Sequence, residues 1–583
     1  MRRLACWALI VAASVPALAA EESPKNTSVD PRSAQFLPLG VYWAGEYTFR
    51  QCQPPEARWQ KIDAALDDLA AHHVNAVWLT HLSSAETAEV ARRAARRGIY
   101  LVASLAELAG EVPHVRKSDH KALVERTLRA WGDAPKPIAW GLGDEPRADY
   151  MNEMAAYVAA WHKLAPGEPV TTVLMWGDLE AGAGAGCDAL SCDVYPFFSR
   201  GNPNGFGIPP YAAWLRSARQ LAARSPRSWM MGQAYQEPWG PFEFDPQGNI
   251  VYLPGGAPHW VMPTPAEIRW QALAAVAAGA KGMFYFHYRA TPKPNPKATA
   301  AKLPAAVKEK TASGSPGTLV YADGRPTPQY EAMGEAFAWL GQRMPLLAAL
   351  KPAAAPEVWE TLPVSAGGNV VTLFVYPATA KRYLMAVSSY EGRADHAVRI
   401  TLGPHIKGLR GAKIETAGPL RQSQINLAPG TAELLECEVE ADNLPLTYGD
   451  DFSTDKFKTD AAAVQNVRRH GAGMLSAADG GAGPDQALVV YDVDRLLAPL
   501  PPGGVRVLIY HGGAVPADFR GAFWSVSRDG QTYTKLSSNE FGKPVFFDAR
   551  YLRVGFCWRQ ASNAHYGHLS SLSILQWKRA AEK

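Results

Sequence analysis

Eight short apolar stretches, each followed by an Ala-rich amphipathic segment or a Gly-rich connection, occupy the chain from Leu37 to Leu350. They are Leu37 to Trp43, Val74 to His81, Ile99 to Leu105, Ile138 to Gly143, Val170 to Trp176, Ala189 to Tyr195, Trp229 to Tyr235 and Gly282 to Tyr288. Strands that read as nearly continuous apolar runs are buried on both faces, which is the condition of a parallel sheet covered by helices. Helical periodicity places the covering helices at Pro55 to His72, Ser84 to Arg97, Ser118 to Trp131, Met151 to Leu164, Pro210 to Ala223, Thr264 to Gly279 and Pro328 to Leu350. Eight units in roughly 300 residues fit a closed (β/α)8 barrel with insertions better than an open doubly wound sheet.

A chain of 583 residues is too long for one core, and its pattern changes after Lys351-Pro352. Short alternating strands such as Val370 to Val375 and Tyr383 to Val387 predict a β-sandwich over residues 352–443. A second all-β run, residues 444–583, reads as a jelly-roll-like sandwich that could bind carbohydrate or serve as a structural accessory. The barrel then takes residues 21–351. Residues 1–20 have the parts of a secretory signal: Met1-Arg2-Arg3, an apolar core from Leu4 to Val15, and a small-residue end at Ala19 and Ala20. The expectation is a secreted or periplasmic protein with no membrane span, because no later window carries 18 apolar residues in a row. With 59 basic and 55 acidic residues, no single-sign field recruits nucleic acid. Cys52, Cys187, Cys192, Cys437 and Cys557 are too sparse for a disulfide scaffold, although Cys187 and Cys192 could close a small loop.

In a barrel of this kind the C-terminal ends of the strands share one mouth, so residues far apart in sequence become neighbours there. The first two strands end in Trp43 with Glu46 and in Trp78 with His81. The fourth ends in Asp144-Glu145, the fifth in Trp176, and the sixth in Asp193 and Tyr195. The seventh supplies Gln233, Tyr235, Gln236 and Glu237 with Trp239 just beyond, and the eighth supplies His287. Aromatic faces stack on the C–H faces of sugars while amides, imidazoles and carboxylates meet the hydroxyls, so this set suits a saccharide. Each tryptophan alone has a plain alternative as barrel–helix packing, and each His as a satisfied core residue.

The segment Trp140-Gly141-Leu142-Gly143-Asp144-Glu145-Pro146 resembles the strand-four motif of clan A (β/α)8-barrel glycoside hydrolases, as an Asp-Glu-Pro variant of Asn-Glu-Pro. That resemblance implies cleavage of O-glycosidic bonds in a poly- or oligosaccharide, with Glu145 as acid/base, Glu237 as nearest match to the strand-seven nucleophile, and Tyr195 as the strand-six aromatic. Asp144 stands where the family carries Asn. Independently of any family, glycosidic cleavage needs a protonated carboxyl and an ionised carboxylate, about 5 to 5.5 Å apart for retention and further for inversion. Glu145 with Glu237, Glu145 with Asp193 and Asp144 with Asp193 are the candidate pairs, and retention is the expected outcome. No cofactor is expected: the chain has no His-Glu-x-x-His, phosphate loop or nucleophile elbow, and His81, Asp193 and Glu145 are the one conceivable metal set. The rival reading is a catalytically silent glycan-binding barrel or cell-surface scaffold.

Overall fold

The computed structural model describes residues 30–33, 35–44, 57–105, 120–146, 151–175, 179–197, 210–239, 242–244, 250–254, 257–289, 318–320, 325–353, 357–360, 368–391, 397–450, 452, 454–470, 474–478, 487–512, 522–536, 545–556, 560–561, 564–565 and 569–581. Eight strands close into a barrel: β1 (Leu39–Ala44), β2 (Ala76–Leu82), β3 (Tyr100–Leu105), β4 (Ala139–Asp144), β5 (Val170–Leu174), β6 (Ala189–Cys192), β7 (Ser228–Gln233) and β8 (Met283–Phe286). Every neighbouring pair is parallel, and β8 closes on β1 with Leu39 opposite Met283. Around them run α1 (Ala57–Ala71), α2 (Ser84–Ala95), α3 (His120–Trp131), α4 (Met151–Leu164), α5 (Leu179–Gly184), α6 (Pro210–Arg224), α7 (Pro265–Ala277) and α8 (Pro328–Gln342).

The starts of α2 and α7 are written locally. Ser83 with Glu86, and Thr264 with Glu267, form reciprocal capping boxes, and Pro265 adds a pre-set φ at the first turn of α7. The short α5 falls where the sequence shows only Ala-Gly alternation. Residue parity divides the strands' side chains into two layers. Tyr42, Trp78, Val102, Val173, Trp229, Met231 and Phe284 fill the barrel interior, whereas Val41, Trp43, Val77, Leu79, Trp140 and Met230 join the helix-facing layer. Two features depart from the sequence reading. Glu237–Trp239 pairs antiparallel with Ala257–Trp260, and Phe242–Phe244 with Ile250–Tyr252, so ribbons stand between β7 and α7 where a plain loop is expected. No disulfide joins Cys187 to Cys192.

Beyond the barrel the sheets are antiparallel. One, with strands 351–352, 370–375, 382–387, 432–439 and 406–409, shares an apolar cluster with another of 358–360, 397–402, 420–426 and 414–417. Two further sheets share a second cluster around Phe452, Tyr491, Trp524 and Ile574, and strand 569–577 pairs with 446–450, with 505–512 and, at Leu475, with 474–477. The barrel and the first sheet pair are tied by Trp270 Nε1, which donates to Gly368 O at 2.6 Å. The two sheet pairs meet at Leu420, Val505, Val507, Ile509, Leu575 and Trp577, where the Trp577 indole donates to His405 Nδ1 at 3.0 Å. That contact fixes the imidazole tautomer, so Nε2 carries the hydrogen donated to Glu357 Oε2 at 2.6 Å. No helix among the described residues is long and apolar enough to cross a membrane.

Candidate active site

The mouth is shaped first by two glycines in β4. The β4–β5 ladder runs Gly141 opposite Thr171 and then Gly143 opposite Thr172, so one extra residue is inserted. A side chain is excluded sterically at Gly141 and crowded at Gly143. A Cβ on Gly141 would lie 1.9 Å from Ser104 Oγ, and one on Gly143 would lie 2.9 Å from Met154 Cε. Such a bulge re-aims the residues that follow it. Trp140 and Leu142 face the helices, and plain alternation would send Asp144 after them; the inserted residue instead brings Asp144 to the mouth, with Tyr42 OH 3.5 Å from its Oδ2. Glu145 follows with φ of 46°, in the left-handed region that a carboxylate side chain seldom visits, and its N–H is pinned to Val173 O at 3.1 Å. Backbone strain held at this point is characteristic of a functional site.

Three carboxyl groups converge here. Asp144 and Glu145 remain open to water, and Asp193, just past β6, is half-buried. The protein packed around Asp144 raises its carboxyl from the ordinary 3.8 to about 6, the Glu145 charge adds to this, and the Tyr42 hydroxyl opposes it. Asp193 is raised well above its ordinary value by burial, then by a hydrogen bond with Glu145 and by the Glu145 and Asp144 charges. Burial therefore keeps the Asp193 carboxyl protonated further up the pH scale than an exposed one.

An aromatic wall faces these acids. Tyr195 meets Tyr235 at 5.0 Å, Phe286 at 5.8 Å and Trp260 at 5.9 Å between ring centroids, and Tyr42 meets Phe286 at 5.0 Å. Burial raises the Tyr195 and Tyr235 hydroxyls well above their usual value, so both stay protonated as hydrogen-bond donors. The charges of Glu237, Asp193 and Glu145 add to the rise at Tyr235. His287 packs on Phe286 at 4.4 Å and lies 6.4 Å from Tyr235, and burial lowers its imidazole to about 4, so it is neutral near pH 7. Its Nδ1 has no hydrogen-bond partner among the described residues.

Several expected binding residues stand elsewhere. Trp43 is buried on the helix side of β1 against Tyr288 at 5.5 Å, because its neighbour Tyr42 takes the inward position. Trp78 points into the barrel but below the mouth, wedged among Trp229 and Phe284 with Nε1 donating to Ser104 Oγ at 3.0 Å. Neither can stack on a sugar. Gln233 is fully buried and its amide is consumed by backbone partners, so it has nothing left for a hydroxyl. Glu237 is exposed, but it opens the antiparallel ribbon opposite Trp260, four residues past the end of β7. Gln236 Nε2 donates to Tyr252 OH at 3.4 Å on the other ribbon. Glu46 and Trp176 lie outside the described residues, as do the side chains of His81 and Trp239. Among the described residues no His, Cys, Asp and Glu group has the arrangement of a metal site.

Tyr42, Phe286 and Trp260 are the mouth residues that strand-end reading passes over. Tyr42 and Phe286 each sit one position before a more conspicuous residue, and β1, buried along its whole length, carries no hydrophobic parity that would pick Tyr42 out. Trp260 is borne by a ribbon rather than a barrel strand.

No protein-family model and no curated protein sequence matches the chain. Among solved structures it bears a distant similarity to glycoside hydrolases. A β-galactosidase from Rahnella sp. R3 is 13% identical over 55% of this chain and 57% of that one, with a TM-score of 0.36. A glycoside hydrolase family 5 mannosidase from Rhizomucor miehei, studied as its E301A mutant, is 11% identical over 54% and 95%, with a TM-score of 0.34. A third, described only as a glycoside hydrolase, is 12% identical and spans 93% of this chain and 92% of its own, with a TM-score of 0.39.

Proposed function

We propose that this protein is an exported glycoside hydrolase that cleaves O-glycosidic bonds of a poly- or oligosaccharide with retention, using Glu145 as general acid/base and Glu237 as its opposite carboxylate. The observation that carries the reading is the mouth itself: a strained Glu145 and a half-buried Asp193 whose carboxyl is raised well above its ordinary value, with an aromatic wall beside them and the charge of Glu237 felt at Tyr235. A carboxyl at the mouth can deliver a proton to a leaving oxygen, and rings at this spacing offer a sugar its stacking surface. Asp144 takes the sugar-hydroxyl contact, and Tyr195, Tyr235 and Trp260 take the ring. In this reading residues 1–20 direct export to the periplasm or medium, residues 21–351 form the catalytic unit, and residues 352–443 and 444–583 are accessory sandwiches, the latter with carbohydrate affinity.

The deciding experiment is Glu145→Gln assayed on a panel of plant, algal and bacterial glycans. Turnover is expected to fall by at least about 10³-fold with the thermal midpoint nearly unchanged, since a group that transfers a proton to the leaving oxygen contributes on that scale. Retained turnover would refute the assignment. The ribbon position of Glu237 favours one second reading, a barrel that binds glycans without cleaving them. Wild-type protein that binds members of the panel and hydrolyses none would establish it.

A further inference from the structure

Gln233 and Gln271 are both fully buried amides, and their hydrogen bonds converge behind the aromatic wall. Ala234 N donates to Phe286 O on the β8 side at 2.7 Å, so the backbone of Gln233 faces the other way, toward β6. No strand waits there: β6 ends at Cys192, whose register partner is Met230, three residues earlier. The gap is filled from α7. Gln271 Oε1 accepts from Gln233 N at 2.8 Å and its Nε2 donates to Gln233 O at 3.0 Å, so one side-chain amide stands in for the peptide of an absent strand.

Held in this way, the side chain of Gln233 joins three segments. Its Oε1 accepts from Phe197 N at 2.9 Å, and its Nε2 donates to Val261 O at 2.7 Å and is shared with Phe197 O and Tyr235 O, each at 3.3 Å. Three carbonyls around the nitrogen leave only one orientation of the amide. Val261 N donates to Phe197 O at 3.0 Å and closes the triangle. Asp193 and Tyr195 precede Phe197, Trp260 precedes Val261, and Tyr235 is the third corner. These are the residues on which the mouth depends.

We propose that Gln233 and Gln271 are positioning residues: together they set the spacing of Tyr195, Tyr235 and Trp260 and anchor the segment that leads from Asp193 to Phe197. The proposal rests on the glycosidase reading for its link to turnover but not for its geometry. An unmade hydrogen bond on a buried amide is costly, so the pair has a single satisfied arrangement and the wall inherits it.

The test is Gln271→Glu in the full-length chain, because a protonated carboxyl keeps one acceptor and one donor while an ionised one loses the donor facing Gln233 O. At acid pH the variant is expected to match wild type in near-ultraviolet circular dichroism and in quenching of tryptophan fluorescence by an oligosaccharide. As the pH rises through ionisation of the new carboxyl both signals should fall away, with KM rising and kcat falling by about tenfold each, the scale of a misplaced binding wall. Asp144, Glu145, Asp193 and Glu237 are present in both proteins, so the wild-type profile is the baseline. Gln271→Met should be defective at every pH. A Gln271→Glu profile superimposable on wild type would overturn the proposal, and so would a step that coincides with loss of far-ultraviolet signal, since that would be a stability device alone. If wild type neither cleaves nor binds any glycan of the panel, the glycosidase reading fails, while the near-ultraviolet step still decides the positioning role.

Discussion

Asp144→Asn should make the protein more stable at neutral pH and leave it unchanged in acid. Asp144 ionises near 6 when folded and near 3.8 when unfolded, because surrounding protein and the neighbouring Glu145 both disfavour its charge. A carboxyl with a raised folded pKa penalises the folded state only once it ionises. The penalty is absent below about pH 4, grows between pH 4 and 6 and is complete above it. Taken without screening, 3.8 to about 6 corresponds to roughly 3 kcal/mol. Asp144 is open to water, so screening reduces this to about 1 to 2 kcal/mol. Asn keeps the shape and can still accept from Tyr42, so the substitution relieves the charge and little else. For a unit the size of the barrel that is a rise of about 2–4 °C in the barrel's melting transition at pH 7, shrinking to nothing at pH 4. Calorimetry on wild type and variant at both pH values measures it. An equal gain at both pH values, or none at pH 7, would refute the electrostatic account of the three-carboxyl cluster.

Burial and the neighbouring Glu145 and Asp144 hold the Asp193 carboxyl well above its ordinary value, so Asp193→Asn should remove one step from the pH–rate profile; an unaltered profile would count against the raised carboxyl. Trp260→Ala should weaken oligosaccharide binding by about 10- to 100-fold, read by titration calorimetry, with the fold intact, as expected for loss of one stacking surface. Trp78→Ala should instead cost about 3–5 kcal/mol of stability by opening a cavity beside Trp229 and Phe284, with no selective effect on glycan affinity in the folded fraction.

The barrel was legible because its signal is periodic: eight apolar runs separated by helices leave few closed arrangements, and each run overlaps an observed strand. Which side chains face the mouth was less so. β1 is buried along its whole length, so hydrophobicity carries no parity, and a one-residue slip exchanges Tyr42 for Trp43. The pair Asp144-Glu145 stands out in the sequence, yet its delivery to the mouth depends on an inserted residue that only Gly141-Leu142-Gly143 hints at. Gln233 has the chemistry of a sugar ligand. That its amide is wholly engaged depends on Phe197 and Val261, tens of residues away, and on Gln271 from a helix, which no local pattern announces. The ribbons after β7 were hidden by their Pro- and Gly-rich composition, which suits a loop equally well.

Strand 569–577 lies beside strands 446–450 and 505–512 and caps the seam through Trp577, yet it follows every one of its partners in the chain. During synthesis those earlier strands must wait with the edges it will cover exposed, and Val505, Val507 and Ile509 wait with them. The interval between making residue 512 and residue 577 is therefore the window in which this region is most open to pairing with the wrong chain.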